Sequence, residues 1–427
     1  VDFVGEKLGN LTHFTVTPNY MSKLQSKSYR QAFKADTNAG DEENEDDNED
    51  NEVVESVDGK KSGVYSQSRQ AALFVFPDGT YGSAGFKKYV NSRIAKVAGK
   101  KGISDITPSY SLKKLKGEKS VRDVIFDGAE TVEDRIKNLR KYSSKYADII
   151  ERLIETRNTS SFVYCKFVRG SGIILLSLIL ELFGFSKATG GEPENSVGLR
   201  YAAITHDTAT VKEIKRLISR FNQPDNMNGQ IINVIIGSNI ISEGFSLSNV
   251  QQINIATPHW NYSETAQAIA RGIRLGSHND LVLSGIVPTV KIYQDVSIPT
   301  KGESIDLDMY ERSQIKDVSI HSIIRIIRES SFDCALNFFR NNASQRDGSR
   351  DCDYMNCDYE CDDVDPADIN GGIPLDDLDY STYQLYYLKT YVKPIHKKIA
   401  RMFKENYKIT IDQFADKLED EHSRFAI

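Results

Sequence analysis

Cysteine is scarce, no apolar run is long enough to cross a bilayer, and positive charge is not in surplus. Five cysteines in 427 residues, three of them crowded between Cys352 and Cys361, do not make a secreted disulfide framework, so a reducing interior is the expected setting. The longest apolar run, Ile173 to Phe185, falls short of the ~20 residues a membrane helix needs and contains Glu181. It reads as a buried helix, and no membrane anchor is expected. Val1 is not followed by a charged-then-apolar leader, which argues against a signal peptide and for a segment of something longer. No internal repeat is visible, which argues against a solenoid or an array. A formal net charge of −6 argues against an evenly basic, phosphate-coating surface.

The charge is unevenly spread. Asp36 to Asp58 holds twelve acidic residues and no Lys or Arg, so the 54 basic residues face only 48 acidic ones elsewhere, a surplus of +6. Such a tract cannot bury enough apolar surface to offset the entropy of ordering, and residues 36–62 are expected to be a disordered acidic insertion. The rest divides into a lead-in strand and helix (1–35), an insertion with a connecting helix (63–160), an α/β lobe (161–330), a Cys-containing loop region (331–375) and a helical carboxyl-terminal attachment (376–427). At 427 residues several domains are the starting assumption.

Within 161–330 strand and helix signals alternate. Phe162–Val168, Arg200–Thr205, Ile231–Ile236, Val250–Ala256 and Thr289–Tyr293 read as strands. Ile173–Phe183, Val211–Phe221 and Glu264–Arg274 read as helices, and Ser143–Glu155 leads in with apolar residues at three-and-four spacing. This alternation predicts a parallel sheet with helices on both faces. On a helix over Glu264–Arg274, residues Gln267, Arg271 and Arg274 share one face. Two guanidiniums one turn apart suit a transferring phosphoryl group, whose negative charge spreads over its equatorial oxygens. Upstream, Ser238, Ser242, Glu243 and Gly244 follow a strand, where α/β proteins place ligand contacts.

These segments carry a resemblance. Ser238–Leu247 and Gln267–Arg274 are similar to the fifth and sixth motifs of superfamily-two helicases, with a looser fourth motif around Ser171. ISEGFSL, TPHWN, RGIRLGSH, YERSQIKD and FDCALNFFRN resemble large-DNA-virus helicases, a group that includes poxvirus nucleoside triphosphatase I and the early transcription factor small subunit. The resemblance implies a RecA-like lobe, the second of two. It implies Arg274 as arginine finger, Arg271 contacting or supporting the γ-phosphate, and Gln267 coupling to the opposing lobe. Glu243, Gly244 and Ser242 would lie by ATP, and Ser238, Ser171 and Gly172 by a DNA or RNA backbone. A setting in viral transcription or genome handling, in the host cytoplasm or virion and with viral RNA polymerase as a partner, is also implied.

The sequence has no G-x-x-x-x-G-K-[ST] loop and no Asp-Glu pair ending a buried strand, so ATP and Mg²⁺ are expected on an amino-terminal RecA-like lobe that is not present. A degenerate, helicase-like scaffold subunit of a transcription initiation complex is the alternative to a motor. Cys352, Cys357 and Cys361 offer three thiolates to a structural zinc, with Cys334 or His321 as a fourth ligand. Free thiols in a polar loop are the other reading.

Overall fold

The computed structural model describes residues 12–40, 65–93, 108–194, 196–238, 245–274, 276–341, 347–361, 389–405, 408–410 and 413. They belong to two compact units, Val1–Ser319 and Ile320–Ile427. In chain order the elements begin with β1 (Thr12–Tyr20), α1 (Lys23–Gly40), α2 (Ser66–Leu73), α3 (Gly82–Tyr89), β2 (Val90–Arg93), β3 (Ser109–Leu112), α4 (Val121–Phe126), α5 (Val132–Leu139) and α6 (Ser144–Glu155). Alternation follows: β4 (Ser160–Tyr164), α7 (Ile173–Leu182), β5 (Ser186–Lys187), β6 (Arg200–Ile204), α8 (Val211–Phe221), β7 (Val234–Gly237), β8 (Val250–Ile255), α9 (Tyr262–Ala270), α10 (Asn279–Leu283) and β9 (Val290–Ile298). Helices α11 (Ile305–Glu329), α12 (Cys334–Asn341) and α13 (Lys389–Glu405) close the described chain.

Seven strands form one parallel sheet in the order β1-β9-β8-β4-β7-β6-β5, while β2 and β3 pair antiparallel on their own. The central strands are apolar at successive positions because both faces are covered. Phe162 and Tyr164 of β4, with Ala202, Ile204 and Ile235, meet the apolar faces of α8 and α9. Val163, Tyr201, Ala203 and Ile236 turn the other way, towards α6 and α7. Helix α8 buries Ile214, Leu217, Ile218 and Phe221 and starts with a capping box between Thr210 and Glu213. Helix α7 is buried along its whole apolar length and is followed by Gly184 at φ 92°, a left-handed conformation that glycine adopts without a Cβ clash. This is the parallel, helix-covered sheet the alternation predicts and the RecA-like α/β architecture the resemblance implies.

Several expected boundaries move. The first strand of the lobe runs from Ser160 to Tyr164 instead of reaching Val168, and the last extends to Ile298. The acidic insertion does not begin at residue 36: α1 continues to Gly40, and the Asp36 carboxylate accepts from Ser68 N and Ser68 Oγ, each at 2.7 Å. Tyr65, at the start of α2, offers no side-chain cap, so Asp36 supplies one from another helix. Residues 41–64 and 362–388 lie outside the described residues, and with them most of the acidic insertion and the start of the carboxyl-terminal attachment.

In the second unit the zinc expectation fails. Cys334 is bonded to Cys361 and Cys352 to Cys357, so these sulfurs are not thiolate ligands. His321 Nδ1 lies 2.7 Å from Asp353 Oδ1, and among the described residues no group of His, Cys, Asp and Glu is arranged to hold a metal. Two disulfides also depart from the reducing interior expected from the cysteine count. No described helix is long and apolar enough to cross a membrane.

Candidate nucleotide and nucleic-acid site

Strands β7 and β8 flank β4, so residues 238–249 carry the chain from one side of β4 to the other. Strand order changes direction there, the arrangement that opens a crevice beyond the carboxyl ends of an α/β sheet. Ser238 follows β7 directly and is buried. Ser242, Glu243 and Gly244 lie outside the described residues. The opposite end of the connection reaches the amino end of β8, where Leu247 N donates to the Arg271 carbonyl at 2.9 Å and Asn249 N to the Ser277 carbonyl at 2.7 Å.

A polar cluster unforeseen from sequence sits at the carboxyl edge. Arg69 of α2 is buried, donates to the Pro258 carbonyl at 3.1 Å and lies over the Phe167 ring. His259, on the turn after β8, places Nδ1 2.5 Å from Glu264 Oε2 in the first turn of α9, and its ring lies 5.0 Å from that of Tyr164. Burial outweighs the carboxylate and holds the imidazole below its usual pKa, while the close approach of His259 lowers that of Glu264. Burial pushes the neighbouring Cys165 thiol up to about 11, which leaves it protonated and a poor nucleophile. TPHWN was legible as a turn, but nothing in the sequence pairs it with Arg69, 189 residues away.

The arginines are not where one continuous helix would put them. Helix α9 ends at Ala270, and Thr265, Ala268 and Ile269 form its buried face. Arg271 is the residue just past it, 9% exposed, and its Nη1 donates to the Phe245 carbonyl at 3.2 Å. Gly272 then packs so closely on Val250 that a Cβ would lie 3.2 Å from that side chain. Arg274, in the following turn, is exposed, and its Nη1 donates to Ser246 Oγ at 2.8 Å. Gln267 is exposed on α9. Both guanidiniums therefore lie by the amino end of β8, against Phe245 and Ser246, and not at the carboxyl edge with Ser238.

Ser171 and Gly172 do not present a surface to a nucleic acid. Ser171 is fully buried: Oγ donates to the Phe74 carbonyl at 2.9 Å and accepts from Gly82 N at 3.1 Å, and its own N donates to Gln70 Oε1. Gly172 precedes α7, where a Cβ would collide with the Phe167 carbonyl oxygen. The Gly-Ser-Gly sequence is a close-packed turn that fastens α2 and α3 to the lobe. His278, too, is internal, with Nε2 2.7 Å from the Val250 carbonyl oxygen.

The helicase conserved C-terminal domain family matches residues 144–276. Putative helicase 087L of Invertebrate iridescent virus 3 is 42% identical over 365 residues, which is 84% of this chain and 32% of that protein. Putative helicase 009L of Frog virus 3 is 34% identical over 368 residues, 85% and 32% respectively. Nucleoside triphosphatase I of Heliothis armigera entomopoxvirus is 29% identical over 197 residues, 44% and 30%. The chain spans about a third of the length of these curated relatives. Parallel sheet, motif residues and relatives agree: residues 144–276 are a helicase conserved C-terminal domain, the second RecA-like lobe of a superfamily-two helicase of the kind large DNA viruses encode.

Proposed function

We propose that this lobe supplies Arg274 as an arginine finger to ATP held, with Mg²⁺, mainly by an amino-terminal RecA-like lobe, in a longer protein that translocates along DNA or RNA. The observation that carries the reading is the exposed guanidinium of Arg274, held by one hydrogen bond to Ser246 and with no ion-pair partner among the described residues. A finger needs that combination: aimed by its own lobe, yet with donors left over for another. Bound ATP supplies the phosphoryl group whose developing charge the guanidinium stabilises.

Arg271 has a different part. Its guanidinium is turned inward on Phe245, so it holds the 245–247 strip in place and acts on the nucleotide through Arg274 and Ser246. Ser238 and Ser246 belong to one connection whose ends lie at opposite ends of the sheet. A backbone contact near Ser238 and a phosphate contact at Arg274 would thus be joined by the residues between them, including Ser242, Glu243 and Gly244. Names such as "putative helicase" among the relatives support ATP-dependent work on nucleic acid. Transcription or genome handling with a viral RNA polymerase, in the host cytoplasm or virion, is the setting that fits a viral relative.

The test is nucleic-acid-stimulated ATP hydrolysis by the full-length protein. Arg274→Ala is expected to lower kcat by about 10³-fold or more, with the melting temperature unchanged because the side chain is exposed. Unchanged turnover would remove the finger and favour a scaffold subunit.

A further inference from the structure

We infer that the exposed basic face of α13 is a second nucleic-acid contact, one that grips phosphates without reading bases. The helix spans Lys389–Glu405, and Glu405 is its only acidic residue. Lys393, Lys397, Arg401 and Lys404 are all exposed. At 3.6 residues per turn these four fall within a sector of about 80°, with axial steps of about 6, 6 and 4.5 Å. Among the described residues none of the four has an ion pair or hydrogen bond. Four cations in a row repel one another, and a polyanion relieves that repulsion while releasing its own counterions.

The far side of the helix decides between polyanions. A basic amphipathic helix binds a membrane by laying its apolar face into the lipid. Here Met402, opposite the basic stripe, is buried, and Ile399 beside it is half-buried, so that face is already engaged. Among the described residues what remains exposed is the basic stripe and a single large apolar side chain, Phe403, at 52% exposure, too little apolar surface for a bilayer and a charge row that suits a backbone. The inference rests on the reading that this protein acts on nucleic acid. It adds a grip within the second unit, on residues distant in sequence from the motifs.

The test titrates the 427-residue chain with labelled oligonucleotides of about 20 nucleotides, as single-stranded DNA, single-stranded RNA and duplex DNA, over a range of salt. The comparison is a variant carrying Lys393→Gln, Lys397→Gln, Arg401→Gln and Lys404→Gln, with circular dichroism to confirm the fold. Losing four phosphate contacts is expected to weaken single-strand binding at least tenfold at ~0.1 M salt and to flatten the log Kd against log salt slope by about 3. Equal affinity and slope for the two proteins would overturn the inference while leaving the motor reading intact. Loss of binding to phosphatidylserine vesicles with oligonucleotide binding unaltered would overturn it too. If the unsubstituted chain bound none of the three oligonucleotides, the functional reading itself would fall. Arg274→Ala separates the two in the other direction, since it should abolish turnover of the full-length protein and leave oligonucleotide affinity unchanged.

Discussion

At the scale of single residues, Lys145 is the most exacting position in the lobe. Its ammonium is fully buried in α6, donating to Asp306 Oδ2 and to the Ala256 carbonyl oxygen, both at 2.7 Å, while Asp306 also accepts from Ser297 N at 2.9 Å. One ion pair thus fastens the connecting helix to the ends of β8 and β9 and to the start of α11. Removing one partner of a buried pair strands the other charge, at a cost of about 3–5 kcal/mol. Lys145→Met should therefore lower urea-denaturation stability by that amount, and Asp306→Asn added to it should restore part of the loss. Equal stability of the single and double variants would show that the pair does not act as a unit. None of this was legible in SSKYADIIERLIE, whose apolar spacing specifies an amphipathic helix but names no partner for the lysine. Burial of the lysine depends on two acceptors more than 100 residues away.

At the scale of elements, three helices open with the same local device. Ser120 with Asp123, Thr131 with Asp134 and Thr210 with Glu213 each close a capping box, which satisfies two backbone donors at the helix start. Hydrogen bonds from Ser120 and Thr131 hold Asp123 and Asp134 below the usual carboxylate range, and those from the Thr210 backbone and hydroxyl do the same for Glu213. A carboxylate with a depressed folded pKa contributes stability that is complete above its unfolded value, about 4, and lost as pH falls through the folded one. Thr210→Ala should cost about 1 kcal/mol at pH 7. Glu213→Gln should lower the melting temperature at pH 7, and its gap from the unsubstituted protein should close as the pH falls below 4. A gap that stays constant with pH would exclude the box as its source. Helix α8 could be placed from sequence at its observed bounds because this cap and its apolar spacing are local. The end of α9 could not, because the chain leaves the helix after Ala270 to pack Gly272 on Val250, a contact between elements.

At the scale of the whole molecule, the two units have different means of stability. The first encloses a parallel sheet between layers of helices. In the second, two disulfides accompany a polar network in which Arg325 donates to the Asn356 and Asp358 carbonyl oxygens and His321 and Arg328 meet Asp353. The Cys334–Cys361 bridge spans 27 residues, a separation for which loop-closure entropy predicts about 3.5 kcal/mol. Adding reductant should accelerate amide hydrogen exchange across 320–361 and leave the sheet of the first unit protected. Equal exchange with and without reductant would mean the bridges add no stability. The parallel α/β class and most strand and helix positions followed from the amino-acid order alone, because apolar periodicity, caps and short spacings act between near neighbours. Tertiary structure alone decided that Arg271 turns inward while Arg274 stays exposed, that Ser171 is spent inside a turn, that Arg69 joins the carboxyl edge and that four cysteines pair. Each of those outcomes depends on which distant backbone atom or sulfur arrives alongside, and only the assembled sheet and its covering helices bring such partners together.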